Sequence, residues 1–175
     1  MKIFVGCSSS NNIDEKYKND AKKLSEIISK DNDLVFGASD NGLMGIFYNE
    51  FLKNKRKIFA VCYEIYIEFL EKLKVDESYI VKTLGDSNEK LIELSDVLIF
   101  MPGGYGTMCE LIYALETKRT KNHNKKIIIF NSNDYFDEQL SMYKNANNQK
   151  FVTTSYKDLC LVSNSIEEVI DYINN

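Results

Sequence analysis

Seven short apolar runs, "KIFVG", "LVFG", "KIFAVCY", "YIVKT", "DVLIFM", "KKIIIF" and "LCLV", recur along the chain, each β-branched or aromatic in character and bounded by polar residues. Between them the apolar positions change period. Tyr17, Ala21, Leu24, Ile27 and Ile28 step by three and four, as do Met108, Leu111, Ile112 and Leu115, which puts each set on one face of a helix. Continuous apolar strands alternating with amphipathic helices are what a parallel sheet covered on both faces requires. The pattern predicts a doubly wound, Rossmann-like α/β fold with a mainly parallel sheet of about seven strands.

The polar punctuation agrees. "SSSNNID" supplies side-chain caps ahead of the first helix, and "SIEEVIDYINN" predicts a terminal helix with Ser165 as its N-cap and Glu168 at the third helical position. No repeat, low-complexity tract or shift in composition divides the chain, so residues 1–175 are expected to form one domain. Hydrophobic residues make up 44% and charged residues 27%, the balance of a globular protein. Lys plus Arg total 22 against 26 Asp plus Glu, so no basic field draws the chain to nucleic acid or anionic lipid. No apolar run is long enough for a membrane span, and the start has no signal-peptide pattern. The expectation is a cytoplasmic protein without nucleic-acid or membrane partners. Cys7, Cys62, Cys109 and Cys160 form no C-x-x-C pair and are expected to be free, buried thiols.

The chemistry concentrates in "FMPGGYGTMCEL", which holds the only proline and three of the eight glycines. In a doubly wound sheet ligands bind beyond the carboxyl ends of the strands, and here a strand runs straight into this loop before a helix. Gly103, Gly104 and Gly106 let backbone amides approach a ligand without an intervening Cβ, and the following helix adds free amides and its positive dipole end. Thr107 adds a hydroxyl. Phosphate is the natural guest. The spacing matches neither the P-loop nor the dinucleotide fingerprint. Glu110, one turn further on, faces the same way as Thr107, and its alternatives are a ribose ligand, a proton-transfer group or a solvated side chain. Tyr105 stacks on a base or shields the loop.

"PGGYGTMCE" resembles the PGGxGTxxE motif of the LONELY GUY family, whose members hydrolyse the N-glycosidic bond of nucleoside 5′-monophosphates to free base and ribose 5-phosphate. "IFVGCSSS" looks like that family's first strand and serine loop, "LVFGASDNGLMG" like its second strand and glycine loop, and "HNKKIIIFNSNDYFDEQL" like the segment after the main motif. The resemblance implies a homodimeric hydrolase of the AMP or N6-modified AMP class that needs no metal or redox cofactor. It implies phosphate or substrate contacts from Ser8, Ser9, Gly42, Met44, Asn88, Gly103, Gly104, Tyr105, Gly106 and Thr107, with Glu110 binding the ribose and assisting water at C1′. Members often carry a lysine decarboxylase label, but no pyridoxal-binding lysine context is readable here.

Two departures stand out. Ser87 falls where the family has an arginine that assists departure of the base, and Ser87 supplies neither the charge nor the donor fork of a guanidinium. This motivates a rival reading, a nucleotide-binding or sensor protein without turnover. Gly37, Ala38 and Ser39 stand where the family has three glycines. Of the remaining residues, Lys90 is a candidate substitute cation, Asp86 a helix N-cap, and His123 an exposed loop histidine. Tyr63, Tyr66 and Phe69 form an aromatic face for core or dimer packing.

Overall fold

A computed structural model describes residues 1–175. Seven strands form a single parallel sheet: β1 (Lys2–Gly6), β2 (Asp33–Phe36), β3 (Ile58–Tyr63), β4 (Glu77–Val81), β5 (Val97–Phe100), β6 (Lys126–Phe130) and β7 (Leu161–Ser163). Seven helices connect or follow them: α1 (Glu15–Ile28), α2 (Gly42–Lys53), α3 (Ile67–Leu70), α4 (Leu84–Leu94), α5 (Tyr105–Arg119), α6 (Asp137–Asn148) and α7 (Ile166–Asn174). Each predicted apolar run is a strand, and the fold is α/β and Rossmann-like.

Strand residues alternate between two cores because both faces of the sheet are covered. Ile3, Val5, Val97 and Ile99 pack beneath α1, α2 and α7 with Phe36, Phe47 and Phe51. Phe4, Leu98 and Phe100 pack on the other face with Leu111 and Leu115 of α5 and with Phe136. The apolar stripes are narrower than their spacing suggests, since Ile27 and Ile112 lie at the margins and stay exposed.

The caps are local. Asp14 accepts from the Lys16 amide at 3.0 Å to start α1, and Ser165 accepts from the Glu168 amide to start α7. The Glu168 carboxylate turns to Ser163 Oγ, 2.5 Å away, which in turn accepts from the Ser165 amide. Thr83, not Asp86, caps α4: its hydroxyl accepts from the Asp86 amide at 3.0 Å, and Asp86 occupies the first turn. A side-chain oxygen two or three residues before a free amide reaches it; one already inside the turn does not.

The strand order is β4-β3-β2-β1-β5-β6-β7, so the direction of winding reverses between β1 and β5. A crevice opens at the carboxyl ends of the two strands flanking such a reversal. Gly6 of β1 pairs with Phe100 of β5, and the chain leaves them as Cys7–Ser10 on one side and Met101–Gly104 on the other. The Ser8 amide donates to the Pro102 carbonyl at 3.1 Å and ties the two loops together.

Candidate functional site

α5 begins at Tyr105 with Gly104 as N-cap, and no side chain caps it. Its first-turn amides are therefore free, together with the positive end of the helix dipole. Gly104 and Gly106 have open space where a Cβ would stand, so their backbone faces the crevice unshielded. Gly103 is different: a Cβ there would lie 2.2 Å from Thr107 Oγ1, so only glycine fits against the threonine. The Thr107 side chain is buried and its hydroxyl has no partner within the protein.

A cavity of about 280 Å³ lies beside this helix start, lined by Cys7, Ser8, Ser9, Ser10, Met44, Gly104, Gly106, Thr107 and Glu110. Glu110 enters it from α5 one turn below the glycines. Gly6 makes room for its carboxylate, since a Cβ on that glycine would stand 3.0 Å from Glu110 Oε2. Burial lifts the Glu110 carboxyl from an ordinary 4.5 to about 8, with no neighbouring cation to hold it down. Burial, and then the nearness of Glu110, push the Cys7 thiol up as well, so Cys7 is an inert wall rather than a nucleophile.

A second recess, about 150 Å³, adjoins the first across Ser8 and Gly104 and is lined by Ile13, Tyr17, Pro102, Gly103 and Tyr135. Neither recess is lined by a lysine or arginine. Arg56 is committed to Asp33 at 3.1 Å and to the Asn32 carbonyl, and Arg119 forms a two-pronged pair with Glu116 at 2.6 and 2.8 Å. Lys90, the candidate substitute, is held by Glu93 at 2.5 Å. Ser87 is half-buried on α4 and brings no charge.

The other expected site residues separate into groups. Ser8 and Ser9 line the cavity, and the Ser9 hydroxyl is unengaged. The start of α2, unlike that of α5, is already occupied by the chain itself: the Gly42 amide donates to Asn11 Oδ1 at 2.8 Å, and the Leu43 and Met44 amides donate to the Ser8 carbonyl at 2.8 and 3.2 Å. Gly42 has φ +59° and sits within 2.7 Å, measured from a built Cβ, of Ser8, Ser9 and Ser10 backbone, so it positions the serine loop; Met44 still presents its side chain to the cavity. Ala38 also lies in the left-handed region, φ 57°, where a methyl costs about 1–2 kcal/mol, offset in part by burying that methyl in the core. Asn88 is buried and turns its amide toward Cys109 of α5 at 3.7 Å, outside both recesses. Tyr105 is 94% exposed and shields nothing.

His123 is half-buried rather than an exposed loop residue. Its Nδ1 accepts from the Lys125 amide at 3.2 Å and Nε2–H donates to the Ala114 carbonyl at 3.1 Å, which ties α5 to the start of β6. Tyr66 and Phe69 stand on the surface with Ile65, so the aromatic face at "YEIYIEF" is not part of the core. Three cysteines are buried as expected and Cys109 is exposed; all four are free. Gly6, Ser10, Tyr17 and Tyr135 were not legible as site residues. Gly6 carried the signal of a glycine closing an apolar strand, and Ser10 and Tyr135 lay inside segments that the resemblance covers without being singled out.

The family model described as "Possible lysine decarboxylase" matches residues 44–173, a span that contains the glycine loop, Thr107 and Glu110. The chain belongs to this family. Its curated relatives include a cytokinin riboside 5′-monophosphate phosphoribohydrolase of Arabidopsis thaliana, 26% identical over 98% of this chain and 82% of the relative. Another of the same name, from Rhodococcoides fascians, is 28% identical over 81% of this chain and 73% of the relative. These names bear out the LONELY GUY resemblance. Among solved structures, a molybdenum cofactor carrier protein of Chlamydomonas reinhardtii superposes with TM-score 0.72 at 16% identity, covering 99% of this chain and 95% of that one. A molybdenum cofactor binding protein of Rippkaea orientalis superposes with TM-score 0.71 at 20% identity, covering 99% and 94%. At those identities the likeness is one of fold. The family's decarboxylase label finds no lysine in either recess on which to form a Schiff base. No helix is long and apolar enough to cross a membrane.

The raised Glu110 carboxyl makes stability depend on pH. Between about 4.5 and about 8 the folded chain keeps a proton that the unfolded chain gives up, so stability falls as pH rises through that window and levels off above it. Glu110→Gln removes this contribution. The melting temperature of the variant relative to the parent should climb between pH 5 and pH 8.5, and a constant difference across that range would mean a carboxylate already ionised and solvated at neutral pH.

Proposed function

We propose that the protein hydrolyses the N-glycosidic bond of a nucleoside 5′-monophosphate of the AMP or N6-modified AMP class, releasing the free base and ribose 5-phosphate. The observation that carries this reading is a carboxyl without a protein partner, Glu110, opening into a cavity one helical turn from uncapped amides. The phosphate sits on the amides of Gly104, Tyr105, Gly106 and Thr107 and on the hydroxyls of Ser9 and Thr107. The sugar then lies over Glu110. The ionised carboxylate orients the ribose hydroxyls and takes a proton from the water that adds to C1′ as the bond to the base breaks; the electron pair of that bond leaves with the base, which takes up a proton from solvent, and Glu110 returns its own to solvent. The names of the curated relatives support the same bond and the same class of substrate. A cytoplasmic homodimer belongs to this reading, supported by an exposed apolar surface at Ile65, Tyr66, Phe69, Ile80 and Leu84. No nucleic acid, membrane or metal enters it.

The rival is a nucleotide-binding protein without turnover. The absence of any lysine or arginine around the two recesses favours it, because nothing stands ready to stabilise charge on the departing base. Incubation with a panel of nucleoside 5′-monophosphates, followed by chromatography of the products, separates the two. Free base from the parent but not from Glu110→Gln supports the hydrolase; a thermal shift with no base released supports the rival.

Gly104→Val tests the phosphate seat. Nothing lies within 4 Å of a Cβ at this position, so the fold tolerates the side chain while the isopropyl group occupies the place of the anion. Binding of AMP should weaken by about 10-fold or more, the effect of losing one to two charge-assisted hydrogen bonds, with the melting temperature preserved. Unchanged AMP affinity would move the phosphate elsewhere.

A further inference from the structure

The hydroxyl of Tyr135 donates a 2.5 Å hydrogen bond to the carbonyl of Gly103. That carbonyl and the N–H of Gly104 belong to one planar peptide unit and point in opposite directions. Holding the carbonyl toward Tyr135, on the side of the smaller recess, therefore turns the Gly104 N–H away from it, and that N–H has no acceptor within the protein. The peptide is flanked by two glycines, the residue that most easily lets a peptide plane turn over. Turned over, it would put a carbonyl oxygen among the amides at the start of α5, a partial negative charge where an anion is to sit. The glycines that open the backbone to a ligand thus also leave its polarity undecided.

Tyr135 is itself fixed more firmly than a surface tyrosine. The two residues before it, Asn133 and Asp134, have φ of 52° and 59°, left-handed values that Asn and Asp take more readily than other side chains and that turn the chain sharply here. Side-chain hydrogen bonds then fix the turn. Here Asp20 Oδ2 accepts from Ser132 Oγ at 2.7 Å and from Asn133 Nδ2 at 3.1 Å, Asp134 Oδ1 accepts from Asn164 Nδ2 at 2.6 Å, and Asn131 Oδ1 accepts from the Phe136 amide at 2.7 Å. The ring lies edge-on to Tyr17 and to Phe136, with centroids 5.8 and 5.2 Å away. Three elements, α1, the turn after β6 and the segment before α7, thus converge to deliver one hydroxyl to one carbonyl. A ring kept only for packing would not need that hydroxyl.

We propose that Tyr135 is a positioning residue: by holding the Gly103 carbonyl it locks the Gly103–Gly104 peptide with its N–H directed to the phosphate of the ligand. This rests on the reading of the glycine loop as the phosphate seat and extends it to a residue outside the loop. Thr107 stands so close to Gly103 that no side chain fits there, which keeps a glycine at one end of the peptide that Tyr135 holds.

Tyr135→Phe is the test, because it keeps the ring contacts and removes only the hydroxyl. Titration calorimetry with AMP, inorganic phosphate and adenosine, alongside a thermal melt, gives the readout. AMP and phosphate should each bind about 5- to 10-fold more weakly, the worth of a single well-placed hydrogen bond, while adenosine binds as it does to the parent and the fold persists. Equal AMP affinity in variant and parent would overturn the inference, as would an equal loss for adenosine, which would make Tyr135 a packing residue. The comparison does not depend on turnover. A parent that binds AMP without releasing base removes the hydrolase reading and leaves the Tyr135 inference to its own result; a parent that binds neither AMP nor phosphate removes both.

Discussion

Glu110→Gln is expected to lower release of base from a nucleoside 5′-monophosphate by about 1000-fold while leaving ligand affinity at pH 7 almost unchanged. The size follows from the loss of a positioned proton-transfer group, which contributes about 100- to 10,000-fold. The preserved affinity follows from the carboxyl's own state: burial raises it to about 8, so at pH 7 most of the parent's Glu110 is neutral, and a neutral amide of the same shape replaces it. Two consequences separate this from a folding defect. The parent's rate should rise with pH toward 8 and beyond, because only the ionised form takes a proton from water, and a bound phosphate dianion pushes the midpoint higher still. Above that midpoint the glutamine variant should bind the dianion more tightly than the parent, which then carries a second negative charge in the cavity. A pH–rate profile and calorimetry at pH 6.5 and 9 measure both. A rate that falls as pH rises would instead cast Glu110 as the acid that protonates the departing base.

Gly42→Val should destabilise the fold by about 2–5 kcal/mol, a fall of roughly 4–20 °C in melting temperature for a chain of this length. A left-handed φ of +59° costs a branched side chain about 1–2 kcal/mol, and the new atoms would meet Ser8 and Ser10 carbonyl oxygens and the Ser9 carbonyl carbon at 2.6–2.7 Å. Overpacking against backbone adds about 1–3 kcal/mol more. The same substitution pries the serine loop from the start of α2, since the Leu43 and Met44 amides close onto the Ser8 carbonyl. Differential scanning calorimetry settles it; a variant melting within a degree of the parent would show that the loop rearranges at little cost.

How far the chain could be read without coordinates depended on how local each signal is. The seven strands were legible because a parallel strand buried on both faces must be apolar throughout, whatever its partners. The glycine loop was legible because three glycines ahead of a helix leave few alternatives. Asp86 was misplaced as a cap because Thr83 three residues earlier competes for the same amide and wins on geometry. His123 was misjudged because its surroundings come from elsewhere, a carbonyl of α5, whereas for Tyr66 and Phe69 only the core alternative fails, their helix being too short to fold its face inward, and the dimer alternative stays open. Gly42 and Met44 were grouped with the glycine loop on likeness alone, and only the Asn11 side chain and the Ser8 carbonyl, each more than thirty positions away, reveal that those amides are already engaged. Tyr135 lay beyond reach for the same reason, its partner being Gly103, 32 positions earlier.

The reversal of winding between β1 and β5 has a consequence for how the protein acquires its site. The serine loop and the glycine loop meet only after strands separated by 94 positions have paired, as the bond from the Lys2 amide to Asp96 illustrates. Contacts of such long sequence separation are slow to form. A nascent chain that has not yet emerged past Glu110 holds half of the crevice and no seat for an anion. Occupancy of the crevice therefore reports on completion of the central sheet, and a tightly held monophosphate should retard unfolding of the whole chain by mass action rather than merely stiffen two loops.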